Sequence, residues 1–306
     1  MAEVSGRSVE DFLKNYGFGM FSSEAKIMEA ERSEISAGLR EPQNSRIKWN
    51  ERNSEIYGAI HFKKLKWDTE FFGFPCAQIS FLHSHTGRYD RDLKTNMALL
   101  DDFNEWCKTE KIKFAVSKID ERDLAAISAL ECQDFRFVET VQNMTYKYAQ
   151  NFEFIKNSCI RRPFKEADMK KLEDIAASSR YDRFHSDPGF AQHVDRFRRT
   201  WIYNLCHGLA DAVFVAECDK EIAGFIACDS RESGQRLGFV RLIAKDPNYT
   251  NRGVGKALVN QAKNWFWNKA DIIYTSTQSK NAASLGMYTA AGFRFAATQA
   301  TLHRWW

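Results

Sequence analysis

The stretch from Leu237 to Trp267 constrains the fold most, because it joins an apolar strand, a glycine-bearing turn and a long amphipathic helix. The spacing predicts a strand over Leu237–Ala244 and a helix over Gly253–Trp267. In such a turn, successive backbone N–H groups point into one concavity, and the helix N-terminus adds unpaired donors and partial positive charge. Glycines allow a ligand to approach the backbone closely. The stretch therefore predicts an α/β domain with an anion site suited to a pyrophosphate.

Three phosphate-binding patterns compete for this turn. A Walker P-loop requires Gly where Thr250 stands and Ser or Thr where Ala257 stands, which excludes it. A dinucleotide fingerprint requires Gly where Leu258 stands, which excludes it too. What remains is Gly253-x-Gly255 at the start of a helix. By itself this pattern also fits an ordinary helix start with two turn glycines.

The turn resembles motif A of the GNAT acetyltransferase superfamily, Gln/Arg-x-x-Gly-x-Gly/Ala. Gly253 and Gly255 match its small positions, whereas Thr250 replaces Gln/Arg and Arg252 follows two residues later. The resemblance implies a GNAT fold, which is α/β with a mixed central sheet flanked by helices, and acetyl-CoA as the acetyl donor. It also implies that strand 237–244 diverges from its neighbour near Leu242–Ala244, so that the pantetheine arm enters the gap. The residues expected to contact the cofactor are Leu242, Ile243, Ala244, Arg252, Gly253, Val254, Gly255, Lys256 and Asn281.

A second motif runs from Asn281 to Phe293 and resembles GNAT motif B, Asn-x-x-Ser/Ala…Tyr-x-x-x-Gly-Phe. The resemblance implies that Tyr288 is the general acid that protonates the departing CoA thiolate. Asn281 is either a CoA contact or the helix N-cap. The oxyanion is expected to accept a hydrogen bond from a backbone N–H near Ile243 or Ala244. Without the resemblance, a tyrosine near a helix end is as readily a packing residue.

A narrower resemblance covers roughly residues 60–306. It rests on the segments Leu65–Gly73, Asp134–Glu139 and Ala176–Phe184. These are similar to the bacterial acetyltransferases of dTDP-4-amino-4,6-dideoxy-galactose (dTDP-fucosamine). The resemblance implies that the acceptor is a nucleotide-linked amino sugar, and that Glu139 draws the amine proton through a water.

The same resemblance places Ser179, Arg180 and Tyr181 near the substrate, with Arg180 as a partner for a nucleotide phosphate. Other interpretations stay open. Glu139 also fits a solvated carboxylate at a strand end, and Arg180 fits a cation at a helix C-terminus.

The chain is expected to comprise three segments. Residues 1–55 form an N-terminal extension without an assigned role, and residues 45–55 look like a connection. Residues 56–150 form a small α/β domain, and residues 158–306 form the GNAT domain. The predicted order in the last segment is helix, helix, three strands, helix, strand, helix, strand. We find no internal repeat of fixed period.

Composition excludes several classes of function. A net charge of +4 over 306 residues is too small for a strongly basic nucleic-acid binder. No apolar run reaches the ~18 residues expected of a membrane helix. The pair His83 and His85 lacks further ligands at metal-site spacing, so no metal is expected.

Cysteine usage points to a cellular compartment. The seven Cys are scattered without a C-x-x-C pair, which predicts free thiols in a reducing cytoplasm. The sequence leaves a homodimer open. No Cys lies beside a candidate base in any motif, which favours direct attack in a ternary complex.

Two alternatives to the amino-sugar enzyme remain. One is a GNAT enzyme acting on another amine, in a protein, a polyamine or an antibiotic. The other is a non-catalytic sensor that binds acyl-CoA.

Overall fold

The computed structural model describes residues 6–18, 25–50, 54–148, 159–179, 181–232 and 236–306. The helices are α1 (Gly6–Lys14), α2 (Ala25–Leu39), α3 (Lys66–Phe72), α4 (Tyr89–Thr109), α5 (Leu124–Cys132), α6 (Met169–Ser178), α7 (Arg183–Ser186), α8 (Val194–Asn204), α9 (Val254–Phe266) and α10 (Ala282–Ala290). The strands are β1 (Ser45–Asn50), β2 (Glu55–Lys64), β3 (Cys76–Ser84), β4 (Phe114–Asp120), β5 (Arg136–Lys147), β6 (Ile160–Pro163), β7 (Ala212–Cys218), β8 (Glu221–Glu232), β9 (Arg236–Lys245), β10 (Ile272–Gln278) and β11 (Arg294–Trp305). This is the mixed α/β architecture that the sequence predicts.

The chain divides into two compact units. The first comprises Met1–Val141 together with Ala297–Trp306, and the second comprises Gln142–Ala296. The chain enters the second unit within β5 and leaves it within β11. These units differ from the predicted segments, since the last ten residues were expected to belong with residues 158–306. The division into functional domains stays a prediction.

The first unit contains a mixed sheet in the order β1-β2-β3-β4-β11. Its strands pair antiparallel except β3 and β4, which are parallel. Helix α4 buries Leu99 and Phe103 in the same core as Phe62 of β2 and Leu302 of β11. The helical spacing of these apolar residues in α4 is what turns one face of the helix toward the sheet.

Within the expected N-terminal extension of residues 1–55, the prediction of a connection at 45–55 is wrong for the described part of that stretch. Residues 45–50, expected within a connection, form β1 and pair with β2 from Ser45↔His61 to Asn50↔Glu55. Helix α1 buries Val9, Phe12 and Leu13 in a cluster with Ala59 and Phe81 of the sheet. Their spacing of three and four residues gives α1 one apolar stripe, which is buried against the first unit.

The second unit contains a mixed sheet in the order β10-β9-β8-β7-β6. Successive side chains of β8 contact opposite faces of the sheet. Ile226 and Cys228 pack in the cluster that contains α9 residues, and Phe225 and Ala227 pack in the cluster of α6 and α8. Side chains that point alternately to opposite faces are expected of a strand buried on both sides. The helices therefore cover both faces of this sheet.

The two units share one order of elements, although no repeat was found in the sequence. Each has helices followed by three strands, a helix, a strand and a helix, with α3 as an addition in the first unit and β6, before the helices, as an addition in the second. In each, the third of these strands pairs parallel with the fourth. The chain therefore contains a structural repeat that residue-by-residue similarity does not reveal.

The cysteine prediction is wrong for one pair. Cys159 and Cys218 form a disulfide, with 5.2 Å between their Cα atoms. Strands β6 and β7 are antiparallel and pair Ile160 with Glu217, so the next residues outward are these two cysteines. The other five cysteines are free. Sequence spacing could not show this pairing because the strand register creates it.

Replacing Gly224 by Ala is expected to lower the free energy of unfolding by about 1–3 kcal/mol. A Cβ there would lie 2.7 Å from the carbonyl oxygen of Ala244 and 3.1 Å from the Cα of Lys245. These are backbone atoms of β9, so the clash cannot be relieved by a side-chain rotation. Urea denaturation of the variant measures the change.

The matched control is Gly286→Ala. Gly286 lies inside α10 and an added Cβ would meet no atom within 4 Å. Alanine is favoured over glycine in a helix interior by about 0.5–1 kcal/mol, so this variant should be slightly more stable than the parent. Equal unfolding midpoints for the two variants would contradict the close approach of β8 and β9 at Gly224.

Candidate active site

The strands β9 and β10 separate part of the way along their length. Their parallel pairing runs from Leu237↔Ile272 to Phe239↔Tyr274 and ends there. Strand β9 continues to Lys245 and stays paired on its other side with β8. Backbone groups of Val240–Lys245 that face β10 are therefore released from the ladder. The predicted divergence is confirmed, and it begins before Leu242.

An irregularity in β9 lies at the same place. Cys228 of β8 pairs with Val240, and Ala227 pairs with Leu242, so Arg241 is the extra residue of a bulge. The Arg241 guanidinium lies 3.2 Å from the Asp229 carboxylate and above the Trp201 ring. The sequence placed the oxyanion donor near Ile243 or Ala244. The observed bulge at Arg241 lies two to three residues earlier, just before those residues.

The turn after β9 is held by its own side chains. Buried Asp246 accepts a hydrogen bond from the backbone N–H of Asn248 and forms an ion pair with Lys171. Thr250, which replaces the family's Gln/Arg, donates its hydroxyl to the carbonyl oxygen of Pro247 at 2.7 Å. Lys245 in turn donates to the Thr250 hydroxyl at 3.1 Å. Thr250 therefore stabilises the turn from within.

The two glycines of the turn serve different purposes. Gly253 is the N-cap of α9 and has a φ of +74°, a conformation that L side chains rarely adopt. Gly255 lies in the first turn of α9, where an added Cβ would be 2.5 Å from the Met287 sulfur of α10. The sequence explained both by close approach of a phosphate. The structure adds a backbone reason for Gly253 and a helix-packing reason for Gly255.

The N-terminal end of α9 is electropositive. Its first turn holds no acidic residue, and Arg252 and Lys256 flank it on exposed positions. The Arg252 guanidinium lies 2.8 Å from the Asp219 carboxylate, and both side chains are mostly exposed. Unpaired N–H groups, the helix dipole and these cations together suit a phosphate-bearing ligand.

Replacing Lys256 by Gln is expected to weaken acetyl-CoA binding about 3- to 10-fold at low ionic strength, because one exposed charge near the phosphates is lost. The loss should shrink at about 0.5 M salt, where such charges are screened. Isothermal titration at both salt concentrations measures it. Lys269→Gln, beyond the other end of α9, is the control and should bind as the parent does. A salt-independent loss would contradict a charge contact.

Motif B forms β10, a short turn and α10. Asn281 is the N-cap of α10, since its side-chain oxygen accepts from the Ser284 N–H at 3.2 Å while its amide nitrogen donates to the Thr277 hydroxyl. Both ends of the amide are thus engaged within the protein. Of the two predicted roles, the structure shows the cap, and a CoA contact stays a prediction.

Tyr288 is almost fully buried, at 2% exposure, and packs against Phe293. Its hydroxyl shares a hydrogen bond with Thr275, the first residue of β10 beyond the last pair with β9. Burial raises the pKa of Tyr288 well above its ordinary value, and the hydrogen bond from Thr275 offsets part of that rise. The hydroxyl is therefore a protonated group at the start of the strand divergence.

The residues expected near the acceptor lie in several places. Ser179 is the C-cap of α6, and Tyr181 follows with 44% exposure. Arg180 lies outside the described residues. Glu139 is buried on β5 in the first unit. The structure therefore brings Ser179 and Tyr181 together, and the parts assigned to all four stay predictions.

A buried polar cluster next to Tyr181 was missed by sequence reasoning. The Asp182 carboxylate accepts from the His185 imidazole and from the Arg198 guanidinium, each at 2.7 Å. Arg198 is 6% exposed, which is rare for an arginine unless it is paired. Asp182 also caps α7. The spacing Asp-x-x-His at a helix start was the available signal, but it is too common to single out.

The corresponding strand divergence in the first unit is filled by side chains. Strands β3 and β4 pair only as far as Ile79↔Ser117. Beyond that pair, His83 and Asp123 are hydrogen-bonded at 2.7 Å, and the rings of Phe12, Tyr16 and Phe18 surround His83. The second unit is thus the better candidate for a nucleotide-bearing ligand.

The described residues also bear on metal binding and on membrane insertion. Across the described ranges, no group of three or more His, Cys, Asp or Glu side chains is placed to hold a metal ion. No helix within the same ranges has the length and apolar character needed to cross a membrane.

The comparison with protein families finds one match. The family model described as Acetyltransferase (GNAT) family matches residues 169–293, which include the divergent strands, the glycine turn and Tyr288. No curated protein matches the chain.

Solved structures of similar fold cover nearly the whole chain. A GCN5-related N-acetyltransferase from Sphaerobacter thermophilus is 12% identical, with a TM-score of 0.58, over 90% of this chain and 85% of that one. A tandem GNAT protein from the clavulanic acid biosynthesis pathway is 11% identical, with a TM-score of 0.54, over 90% and 87%. A glucosamine N-acetyltransferase region of a fungal multi-domain GH3 β-N-acetylglucosaminidase is 12% identical, with a TM-score of 0.58, over 89% of this chain and 34% of that one.

These neighbours share the fold with this chain at low sequence identity. Together they show that this chain has a tandem-GNAT-like fold, and the Acetyltransferase (GNAT) family model matches residues 169–293, which contain every element of the candidate site in the second unit.

Proposed function

We propose that the chain transfers the acetyl group of acetyl-CoA to the amine of a nucleotide-linked amino sugar, of the dTDP-4-amino-4,6-dideoxy type. The observation that carries the transfer is the divergence of β9 from β10, which leads into the glycine turn and has buried Tyr288 at its start. GNAT enzymes use acetyl-CoA, which supplies the acetyl group as a thioester. The released backbone of β9 and the electropositive start of α9 fit its pantetheine arm and phosphates.

The proposed reaction gives each candidate residue a defined role. Arg252 and Lys256 attract the phosphates, while the backbone N–H groups from Gly253 to Gly255 bind them. A backbone N–H of β9 after the bulge stabilises the oxyanion. The Tyr288 hydroxyl donates a proton to the departing thiolate. Glu139 is the base that the sequence resemblance implies, and its burial on β5 supports a shielded carboxylate.

Direct attack of the amine on the thioester fits the chemistry of the cysteines. Cys228 is the free cysteine nearest in sequence to the divergent part of β9, and burial raises the pKa of its thiol well above its ordinary value. Burial also raises the pKa of the Cys206 thiol to about 12. The pKa of Cys107 is raised to about 12 by the same cause. Such thiols stay protonated at neutral pH and are poor nucleophiles. A ternary complex without a covalent enzyme intermediate follows.

The sugar acceptor is supported by the three segments that resemble dTDP-fucosamine acetyltransferases. Of these, Leu65–Gly73 contains the short helix α3, and Ala176–Phe184 includes the end of α6 and the first two residues of α7. A related fold also occurs in a region named a glucosamine N-acetyltransferase. An amino sugar is thus a substrate class to which this fold is suited.

A cytoplasmic location belongs to the same proposal. The Cys159–Cys218 disulfide bears on it, because disulfides are uncommon in reducing compartments. The redox state of this pair in protein isolated from its native cell therefore tests the location.

Thiol release from acetyl-CoA tests the function. The purified chain is mixed with acetyl-CoA and a panel of amines: dTDP-4-amino-4,6-dideoxy sugars, UDP-linked amino sugars, polyamines, an aminoglycoside and a lysine peptide. We expect release with a nucleotide-linked amino sugar, and slower release with the same sugar lacking its nucleotide. Faster release with a polyamine, aminoglycoside or peptide would replace the sugar by that amine. Acetyl-CoA binding without release on any amine would overturn catalysis and favour a sensor.

A further inference from the structure

His185 lies at the centre of a charge network in the second unit. Its Nδ1 atom lies 2.7 Å from the Asp182 carboxylate, whose other oxygen accepts the backbone N–H groups of Phe184 and His185. Arg198 of α8 donates to the same carboxylate at 2.7 Å and to the carbonyl oxygen of Tyr181 at 2.8 Å. The imidazole and the carboxylate are each only 13% exposed.

The network fixes which nitrogen of the ring carries the proton. Burial by itself would raise the pKa of Asp182, but Arg198, the backbone N–H of His185 and the His185 ring lower it below its ordinary value. An ionised carboxylate only accepts hydrogen bonds, so Nδ1 must be the donor. In the neutral ring, Nε2 then presents its lone pair. This is the tautomer that a histidine base requires.

The Nε2 atom is buried, and no described residue offers it a hydrogen bond. A buried nitrogen without a hydrogen-bond partner destabilises the folded state, so its retention calls for a reason. The ring borders a cavity of about 350 Å³ that is also lined by Asp187 and Asp195. A small cavity with two carboxylates and an imidazole suits a protonated amine.

The cluster is attached to the strand whose divergence makes the gap. Lys280 lies two residues beyond the end of β10 and donates to the Ser186 hydroxyl at 2.6 Å. Ser186 is the last residue of α7, next to His185. His185 is therefore the sequence neighbour of a residue that contacts the segment after β10. Ser179 and Tyr181 were expected to meet the acceptor on the same side of the fold.

We propose that His185 is the general base that deprotonates the acceptor amine, the part that the sequence resemblance gives to Glu139. Nε2 takes one proton from the ammonium group, directly or through one water, which leaves a neutral amine and an imidazolium. Asp182 stabilises the imidazolium, and the proton then passes to solvent. The inference rests on the proposed acetyl transfer and adds the residue that prepares its nucleophile.

Several charged groups act on this imidazole. Asp182 favours the imidazolium, as do Asp187 and Asp195 around the cavity. Arg198 from α8 and Lys280 after β10 oppose it. Three carboxylates and two cations thus lie around the ring.

The test is the pH dependence of kcat/KM for the parent, His185→Gln, Glu139→Gln and His207→Gln, with the amine that the parent acetylates fastest. Glutamine keeps a donor for Asp182 but cannot accept a proton. We expect His185→Gln to lower kcat/KM roughly 100-fold near pH 7 and to lose the rise of rate with pH, with acetyl-CoA affinity unchanged. His207, partly exposed and stacked on Tyr203 after α8, is the matched control and should leave the profile intact.

A measurement on the parent protein keeps the proposal testable if a variant folds poorly. Nitrogen-15 NMR of the His185 ring should show the neutral tautomer with the proton on Nδ1. A proton on Nε2 in the neutral ring would overturn the proposal whatever the variants do. The proposal is also overturned if His185→Gln turns over as the parent does while Glu139→Gln loses activity. A parent that binds acetyl-CoA but acetylates no amine would overturn the proposed function together with this assignment.

Discussion

Replacing Tyr288 by Phe is expected to lower kcat roughly 10²- to 10³-fold, because the departing thiolate loses its proton donor. The ring stays packed against Phe293, so the affinity for acetyl-CoA should change little. Single-turnover kinetics and titration with acetyl-CoA separate the chemical step from binding. The pKa of Tyr288 lies above its ordinary value, so this group keeps its proton across the assay range. The parent should therefore show no loss of rate from Tyr288 below about pH 10.

The matched control is Tyr146→Phe. Tyr146 also packs against Phe293, with ring centroids 5.4 Å apart, and burial likewise raises its pKa. It has no part in the proposed mechanism, so its variant should turn over as the parent does. Unchanged turnover in Tyr288→Phe would remove this tyrosine from the mechanism. A comparable loss in both variants would point to packing around Phe293 instead.

Loss of the Cys159–Cys218 disulfide is expected to lower the free energy of unfolding by about 2–4 kcal/mol. The bond closes a loop with a sequence separation of 59 residues, and the reduced unfolded chain regains the conformations that this closure removes. Chemical denaturation of the double variant Cys159→Ser/Cys218→Ser measures the change. Reductant should destabilise the parent to the same extent and leave the double variant unaffected.

Cys132→Ser provides the comparison, since Cys132 is exposed and free. That variant should unfold as the parent does and should remain sensitive to reductant. If reductant does not change the stability of the parent, and both thiols can be titrated before the protein unfolds, then the pair is reduced in solution.

The second unit was predictable from sequence because its strongest signals are local. A glycine pair at the start of an apolar-striped helix and an Asn-capped helix ending in Gly-Phe placed α9 and α10 to within a few residues. The divergence of β9 from its neighbour followed from the resemblance that these motifs carry, and the structure begins it earlier than predicted, beyond Phe239. Propensity and periodicity are reliable where an element has a single buried face.

The fold of the first unit was harder to predict, because its elements depend on interactions between residues far apart in the sequence. Strand β1 reads Ser-Arg-Ile-Lys-Trp-Asn, a polar segment that becomes a strand only through its pairing with β2. Strand β5 runs without a break from Arg136 to Lys147, although the polar residues Gln142 and Asn143 lie within it. The seven-residue helix α3 is too short to show a period.

The missed features of the candidate site have the same origin. The network around Asp182 joins α7 to Arg198 on α8, sixteen residues away, so only folding brings the three side chains together. The disulfide depends on the register of β6 and β7. Interactions that cross between elements leave no pattern in a single sequence.

Strand β11 has a consequence for how the protein is made. Its residues Gln299–Trp305 pair with Asp120–Phe114 and complete the sheet of the first unit. At translation rates of roughly 5–20 residues per second, the first unit waits on the order of 10–30 s after residue 141 for this strand. Until then the outer side of β4 presents unpaired backbone groups, the kind of open strand edge to which chaperones and other nascent chains bind. The unit that is synthesised first is therefore the last to be finished, and a ribosome that stalls after the acetyltransferase domain would release a chain with an exposed sheet edge.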